Sequence, residues 1–181
     1  MISYFINFLT IARIVLGALI FILIISPNGQ LLALLLFFIA GLTDYFDGFL
    51  ARKYNSVSQV GEILDPIADK ILIVFILFAL SVNLSSYLIA FCSSMIISRE
   101  IFVSALRDYS SRNHISDATK VTFIAKIKTT IQLFTIFIYL LALTISSMLM
   151  LVIADFLLIA SMLVTLYTGY IYATNIIERS K

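Results

Sequence analysis

Long apolar runs alternate with short charged segments along this chain. Residues 14–43, 71–98, 129–154 and 156–177 contain no Asp, Glu, Lys or Arg. The first three runs each carry a polar break: Ser26-Pro27-Asn28-Gly29-Gln30, Ser81-Val82-Asn83-Leu84-Ser85-Ser86 and Ser146-Ser147. A membrane-crossing helix needs about 20 predominantly apolar residues, so each of these runs holds parts of two spans and the turn between them. The pattern predicts six helices, over roughly 6–25, 31–52, 61–81, 86–109, 119–145 and 149–176. The expected fold is an all-α integral membrane protein, a six-transmembrane-helix bundle forming one domain over residues 1–181. Residues 110–118 are the most polar stretch and are expected to form a loop. The start of Met1–Arg13 is expected to lie along the membrane surface as a short interfacial segment before the first span.

Composition agrees: 62% of the 181 residues are hydrophobic, above the share of an ordinary soluble domain. No cleavable signal peptide is expected, because the start lacks a basic segment and a small-residue cleavage site. The lone Cys92 has no intrachain partner for a disulfide and reads as a small buried hydrophobe. Charge placement sets the topology. All twelve Lys and Arg lie near the termini or within residues 44–70 and 99–128, and the three opposite turns have none. The positive-inside rule places both termini and both charged connections in the cytoplasm, in a multi-pass plasma-membrane protein.

The chemistry concentrates in four aspartates at the cytoplasmic ends of the second and third helices: Asp44, Asp47, Asp65 and Asp69. Asp44 and Asp47 are three apart and share a helical face; Asp65 and Asp69, four apart, share another. Carboxylates so close repel unless cations neutralise them. An oxygen-only donor set favours hard cations such as Mg²⁺ or Mn²⁺, and four carboxylates suit two ions with shared ligands. Gly48 and Ala51 leave room for close approach, and Arg52 offers a fork for phosphate, so the group reads as a diphosphate site. Each residue also has a plainer reading. Asp65 precedes Pro66 and could cap a helix, and Arg52 could be an interfacial anchor. Asp44 and Asp47 resist this, because the dipole at a helix C-terminus disfavours acids.

The pattern Asp44-x2-Asp47-Gly48-x2-Ala51-Arg52-x8-Gly61-x3-Asp65-x3-Asp69 closely resembles the signature of the CDP-alcohol phosphatidyltransferase family, with all eight fixed positions met. The resemblance implies transfer of a phosphatidyl group from CDP-diacylglycerol to an alcohol with release of CMP, in a membrane homodimer with a cytoplasm-facing site for two divalent cations. It implies Asp44, Asp47 and Asp65 as metal ligands, and Asp69 as ligand, general base or both. Gly48, Ala51, Arg52 and Gly61 would line the CDP-lipid pocket. Asn7-x2-Thr10-x2-Arg13 also resembles the family's amino-terminal pattern near the nucleotide, and three-residue spacing puts Asn7, Thr10 and Arg13 on one helical face.

The acceptor is read elsewhere. Arg99 and Arg107 are eight residues, roughly two turns, apart and are expected on one face of the fourth helix, and Lys126 and Lys128 open the fifth. Several cations inside a bundle suit an acceptor that carries phosphate. The stretches Arg99-Glu100…Arg107 and Lys126-Ile127-Lys128-Thr129-x2-Gln132 resemble the phosphatidylglycerophosphate synthase branch, which implies sn-glycerol 3-phosphate as acceptor. Glu100 either orients Arg99 or helps to bind the acceptor. Serine, an inositol phosphate or phosphatidylglycerol would be alternative acceptors for the same chemistry. A cation transporter would spread its acids through the bilayer depth, whereas these lie at one depth. Asp155 is expected to be an interfacial or polar-packed residue. The partners expected are the two substrates, the lipid bilayer and a second copy of the chain, with no nucleic acid.

Overall fold

A computed structural model describes the backbone over residues 2–54, 59–112 and 123–179, and side-chain environments for residues 8, 10–44, 64, 67–112 and 128–178. All the described regular structure is helical: α1 (Ile2–Ile25), α2 (Gln30–Tyr54), α3 (Gln59–Asn83), α4 (Tyr87–Arg112), α5 (Phe123–Ile145) and α6 (Met148–Arg179). The helices group into two compact units. One contains Met1–Ser86 and Leu140–Ser147, the other Tyr87–Tyr139 and Met148–Lys181.

The three polar breaks become the turns α1–α2, α3–α4 and α5–α6. Each holds one residue in the left-handed region: Asn28 (φ 62°), Ser85 (φ 47°) and Ser146 (φ 53°). Such a residue stops a helix and turns amides back on its last carbonyls. Ser86 N donates to Ser81 O at 3.1 Å and Ser147 N to Ala142 O at 3.0 Å. Asn83 Nδ2, on α3, donates to Ile24 O at 2.8 Å and so caps a carbonyl that α1 leaves unpaired at its end.

Helix boundaries differ in places from those the sequence predicts. Helix α1 is continuous from Ile2, so the opening residues and the apolar stretch Thr10–Ile25 form one helix. Nothing in this stretch breaks a helix; it has no Pro, and Gly17 serves close packing. A Cβ at Gly17 would lie 3.3 Å from Leu72 Cα of α3. Helix α4 runs to Arg112, so residues 110–112 are helical rather than loop. Asp65 falls inside α3, which begins at Gln59, rather than capping it.

In the first unit α1 packs on both α2 and α3. Its inward stripe is Thr10, Arg13, Gly17, Ile20 and Ile24, spaced 3, 4, 3 and 4 residues, which is one helical face. In the second unit α4 packs on α6. The α4 stripe has the same rhythm: Ile89, Cys92, Ile96, Arg99 and Val103. Arginine occupies a core position in both stripes. Buried Gln132, Thr135, Ser161, Thr165 and Thr168 add polar groups, while Phe8, Val15, Phe156, Leu163 and Tyr170 face outward. An apolar exterior around polar interior positions is what lipid favours. Tyr87–Arg112, Lys128–Ile145 and Met148–Glu178 are long and apolar enough to cross a membrane; Thr10–Ile25 and Gln30–Asp44 are apolar over shorter lengths. Asp155 is polar-packed, as expected: Tyr139, fully buried, donates its hydroxyl to Asp155 Oδ1 at 2.5 Å.

Candidate functional site

Among the described residues, each unit contains a charged centre that joins different helices. In the first, Asp44 from α2 and Asp69 from α3 meet at Arg13 of α1. Arg13 Nη1 lies 3.0 Å from Asp44 Oδ1 and also binds Asp69 Oδ1. The guanidinium side chain is 1% exposed, whereas Asp44 and Asp69 are 53% and 47% exposed. The carboxylates therefore face solvent on one side and the buried cation on the other. Two carboxylate oxygens from different helices converging on one cationic nitrogen are a donor set that a hard divalent cation accepts. Asp44 and Asp69 fit such an ion, and Arg13 stands beside them as a protein-borne cation.

The expected pairing of acids from the second and third helices is thus present for Asp44 and Asp69. The side chains of Asp47, Gly48, Ala51, Arg52, Gly61 and Asp65, expected to complete the cage and the pocket, lie outside the described residues, as does Asn7. Among the described residues no group of three or more His, Cys, Asp or Glu is placed to hold a metal. Thr10 is fully buried one turn from Arg13. Arg13 was legible only as the third residue of the amino-terminal spacing. Its bridging role depends on partners 31 and 56 residues away in the chain.

The second centre joins α4, α5 and α6. Glu100 Oε1 accepts from Arg99 Nη1 at 3.0 Å and also from Lys128 Nζ. Arg99 Nη2 donates to Thr168 Oγ1 at 2.8 Å, and Thr168 in turn donates to Thr165 O at 2.9 Å. Two buried cations aimed at one oxygen are a ready site for an oxyanion. Lys126 lies outside the described side chains. Arg107 is exposed, its Cζ 5.3 Å from the centroid of the Tyr172 ring and its Nη2 3.4 Å from the Tyr172 hydroxyl. Eight residues carry an α-helix about 80° past two full turns, which moves Arg107 off the Arg99 stripe.

Gly169 also belongs to this centre, and charge-based reading misses it. A Cβ there would lie 2.9 Å from Arg99 Cγ and 3.0 Å from Arg99 Nε. The only signal for it was a glycine inside a long helix, which costs stability without a packing reason. Gly169→Ala is expected to push Arg99 out of line and weaken binding of inorganic phosphate about tenfold, the worth of one charge-assisted hydrogen bond. Titration calorimetry on the purified protein checks this; unchanged phosphate affinity would show that Arg99 does not depend on the gap.

Known proteins resemble this chain over most of its length. A relative from Rickettsia bellii (strain RML369-C), named CDP-diacylglycerol--glycerol-3-phosphate 3-phosphatidyltransferase, is 37% identical over 169 residues, 92% of this chain and 91% of its own. A relative of the same name from Blochmanniella floridana is 38% identical over 149 residues, 81% of this chain and 77% of its own. Another, from Wigglesworthia glossinidia brevipalpis, is 37% identical over 131 residues, 71% of this chain and 72% of its own. Residues 5–167 match the family described as CDP-alcohol phosphatidyltransferase, a stretch that takes in Arg13, all four aspartates and the Arg99–Glu100–Lys128 centre. With a match over most of its length, the chain belongs to the CDP-alcohol phosphatidyltransferase family.

Proposed function

We propose that this protein is an enzyme that transfers the phosphatidyl group from CDP-diacylglycerol to sn-glycerol 3-phosphate, giving phosphatidylglycerophosphate and CMP. The observation that carries the choice of a phosphate-bearing acceptor is the convergence of Arg99 and Lys128 on a single carboxylate oxygen. Serine offers one carboxylate offset by its own ammonium, whereas a phosphate monoester, at about −1.5 to −2, matches two buried cations. The names of the relatives point to the same acceptor.

The aspartates act on the donor. Asp44, Asp47, Asp65 and Asp69 would hold two divalent cations, Mg²⁺ in the first instance and Mn²⁺ as an alternative. Bound there, such ions supply neutralising charge to the diphosphate where its bond breaks. Gly48, Ala51, Arg52, Gly61, Asn7 and Thr10 would bind the CDP-lipid. An alcohol ionises far above neutral pH, so its proton must pass to a carboxylate as attack proceeds. Asp69 takes that role: the acceptor oxygen forms its bond to the lipid-bearing phosphorus in line as the bond to CMP breaks, and the proton moves to Asp69. Arg99 and Lys128 hold the acceptor phosphate, with Arg107 and Lys126 as the further cations assigned to it. Six membrane spans, with both termini and the charged connections in the cytoplasm of a plasma-membrane protein, follow from the charge distribution. Assembly as a homodimer rests on the family resemblance.

The test is CMP release by the purified protein from CDP-diacylglycerol, with glycerol 3-phosphate, serine, myo-inositol 1-phosphate and phosphatidylglycerol offered separately. Glycerol 3-phosphate is expected to support turnover far above the other three. Turnover with serine alone overturns the acceptor assignment while leaving the donor chemistry in place.

A further inference from the structure

Glu100 occupies the place an acceptor oxygen needs. One atom, Oε1, takes both Arg99 Nη1 and Lys128 Nζ. Its side chain is 20% exposed, against 5% for Arg99 and 10% for Lys128, so the anion is the member of the trio nearest to solvent. Arg99 is held from its other side: Nη2 donates to Thr168 Oγ1 while Nη1 faces Glu100, so the fork stays fixed when the anion at Nη1 is exchanged.

From this we infer that Glu100 is a displaceable counter-anion that sets which acceptors the site admits. The inference rests on the reading of Arg99 and Lys128 as the acceptor-phosphate site. Without acceptor, Glu100 keeps two buried cations paired and in place. An acceptor binds by taking Arg99 and Lys128 from the carboxylate, which swings to solvent. The exchange is governed by charge. A phosphate monoester carries about −1.5 to −2 near neutral pH and outbids a carboxylate of −1. A phosphodiester carries only one negative charge and merely matches the carboxylate. Serine brings one carboxylate beside its own ammonium, with no net charge, and does not dislodge Glu100. Glu100 thus discriminates sn-glycerol 3-phosphate from phosphatidylglycerol and from serine by the charge needed to dislodge it. A site made of cations alone would bind every anion of suitable size, including diester headgroups abundant in the membrane.

The experiment is calorimetric titration of the purified, full-length protein with inorganic phosphate and, separately, with dimethyl phosphate as a diester probe. Wild type is expected to bind phosphate and to show no measurable binding of the diester. Glu100→Gln removes the competing charge and keeps the shape; phosphate should bind about tenfold tighter or more, the scale of one like charge removed a few ångströms away. The diester should become a ligand. Glu100→Asp, whose shorter carboxylate cannot span both cations, should move both affinities in the same direction and serves if the Gln variant does not fold. Weaker or unchanged phosphate binding in both variants, or a diester still excluded, overturns the displacement role and leaves Glu100 as a fixed scaffold. Lys128→Met separates the two levels of the argument: phosphate binding that survives this change at wild-type strength means the acceptor phosphate sits elsewhere, and the underlying site assignment fails.

Discussion

Asp69→Asn is expected to abolish CMP release while leaving CDP-diacylglycerol binding largely intact. The exchange is nearly isosteric. Asn keeps an oxygen that can accept from Arg13 Nη1, so the contact that ties α3 to α1 can survive. What disappears is the negative charge and the ability to take a proton. General-base catalysis alone is worth about 10²–10⁴ in rate, and a second role as metal ligand would raise the loss further. Asp69 is placed for such work, being 47% exposed and so open to a ligand on one side. The measurement is turnover with saturating glycerol 3-phosphate beside equilibrium binding of the CDP-lipid. Near-normal turnover would remove Asp69 from the proton path. Lost turnover with equally lost lipid binding would make it chiefly a ligand-holding residue.

The parts of this protein that local chemistry governs were legible in its sequence. The polar breaks at Asn28, Ser85 and Ser146 became left-handed turns because these residues have short polar side chains in otherwise helix-forming runs. The spacing of Thr10 and Arg13 put both on one helical face, and Arg99 was marked out as a cation within the bundle; both arginines are buried. Their partners were not legible, because Asp44, Asp69, Lys128 and Thr168 come from other helices and no local pattern specifies which side chains meet. The aspartate spacing was informative for the opposite reason: four acids near one membrane surface are too costly to be incidental. Arg107 shows the limit of counting turns. Eight residues seemed to return it to the Arg99 face, yet the residual rotation sent one arginine inward and the other out over Tyr172. Gly169 had no charge to announce it, and its role follows only from the Arg99 side chain lying across it.

Arg13→Met is expected to destabilise the metal-free protein and to enlarge the stabilisation that Mg²⁺ confers. Each charged centre is held together by a counter-charge from the chain itself, Glu100 between two cations and Arg13 between two carboxylates. Methionine fills the buried stripe position with an unbranched side chain of comparable reach, so the apolar packing around Gly17 and Ile20 is retained. The carboxylates of Asp44 and Asp69 then face each other without their shared cation. Breaking a fully buried ion pair costs about 3–5 kcal/mol, but both acids are half exposed and water offsets much of this, so about 1–2 kcal/mol is the expected loss. A ligand that binds only the folded state stabilises it in proportion to its affinity, and carboxylates freed from an internal cation bind an external one more tightly. The rise in melting temperature on adding Mg²⁺ should therefore be larger in the variant than in wild type, and Arg13→Lys, which keeps one positive charge, should fall between them. If Arg13 served packing alone, both melting temperatures would drop by the same amount with and without Mg²⁺. A parallel drop would therefore remove Arg13 from the electrostatics of the aspartate centre, whatever the variant's turnover.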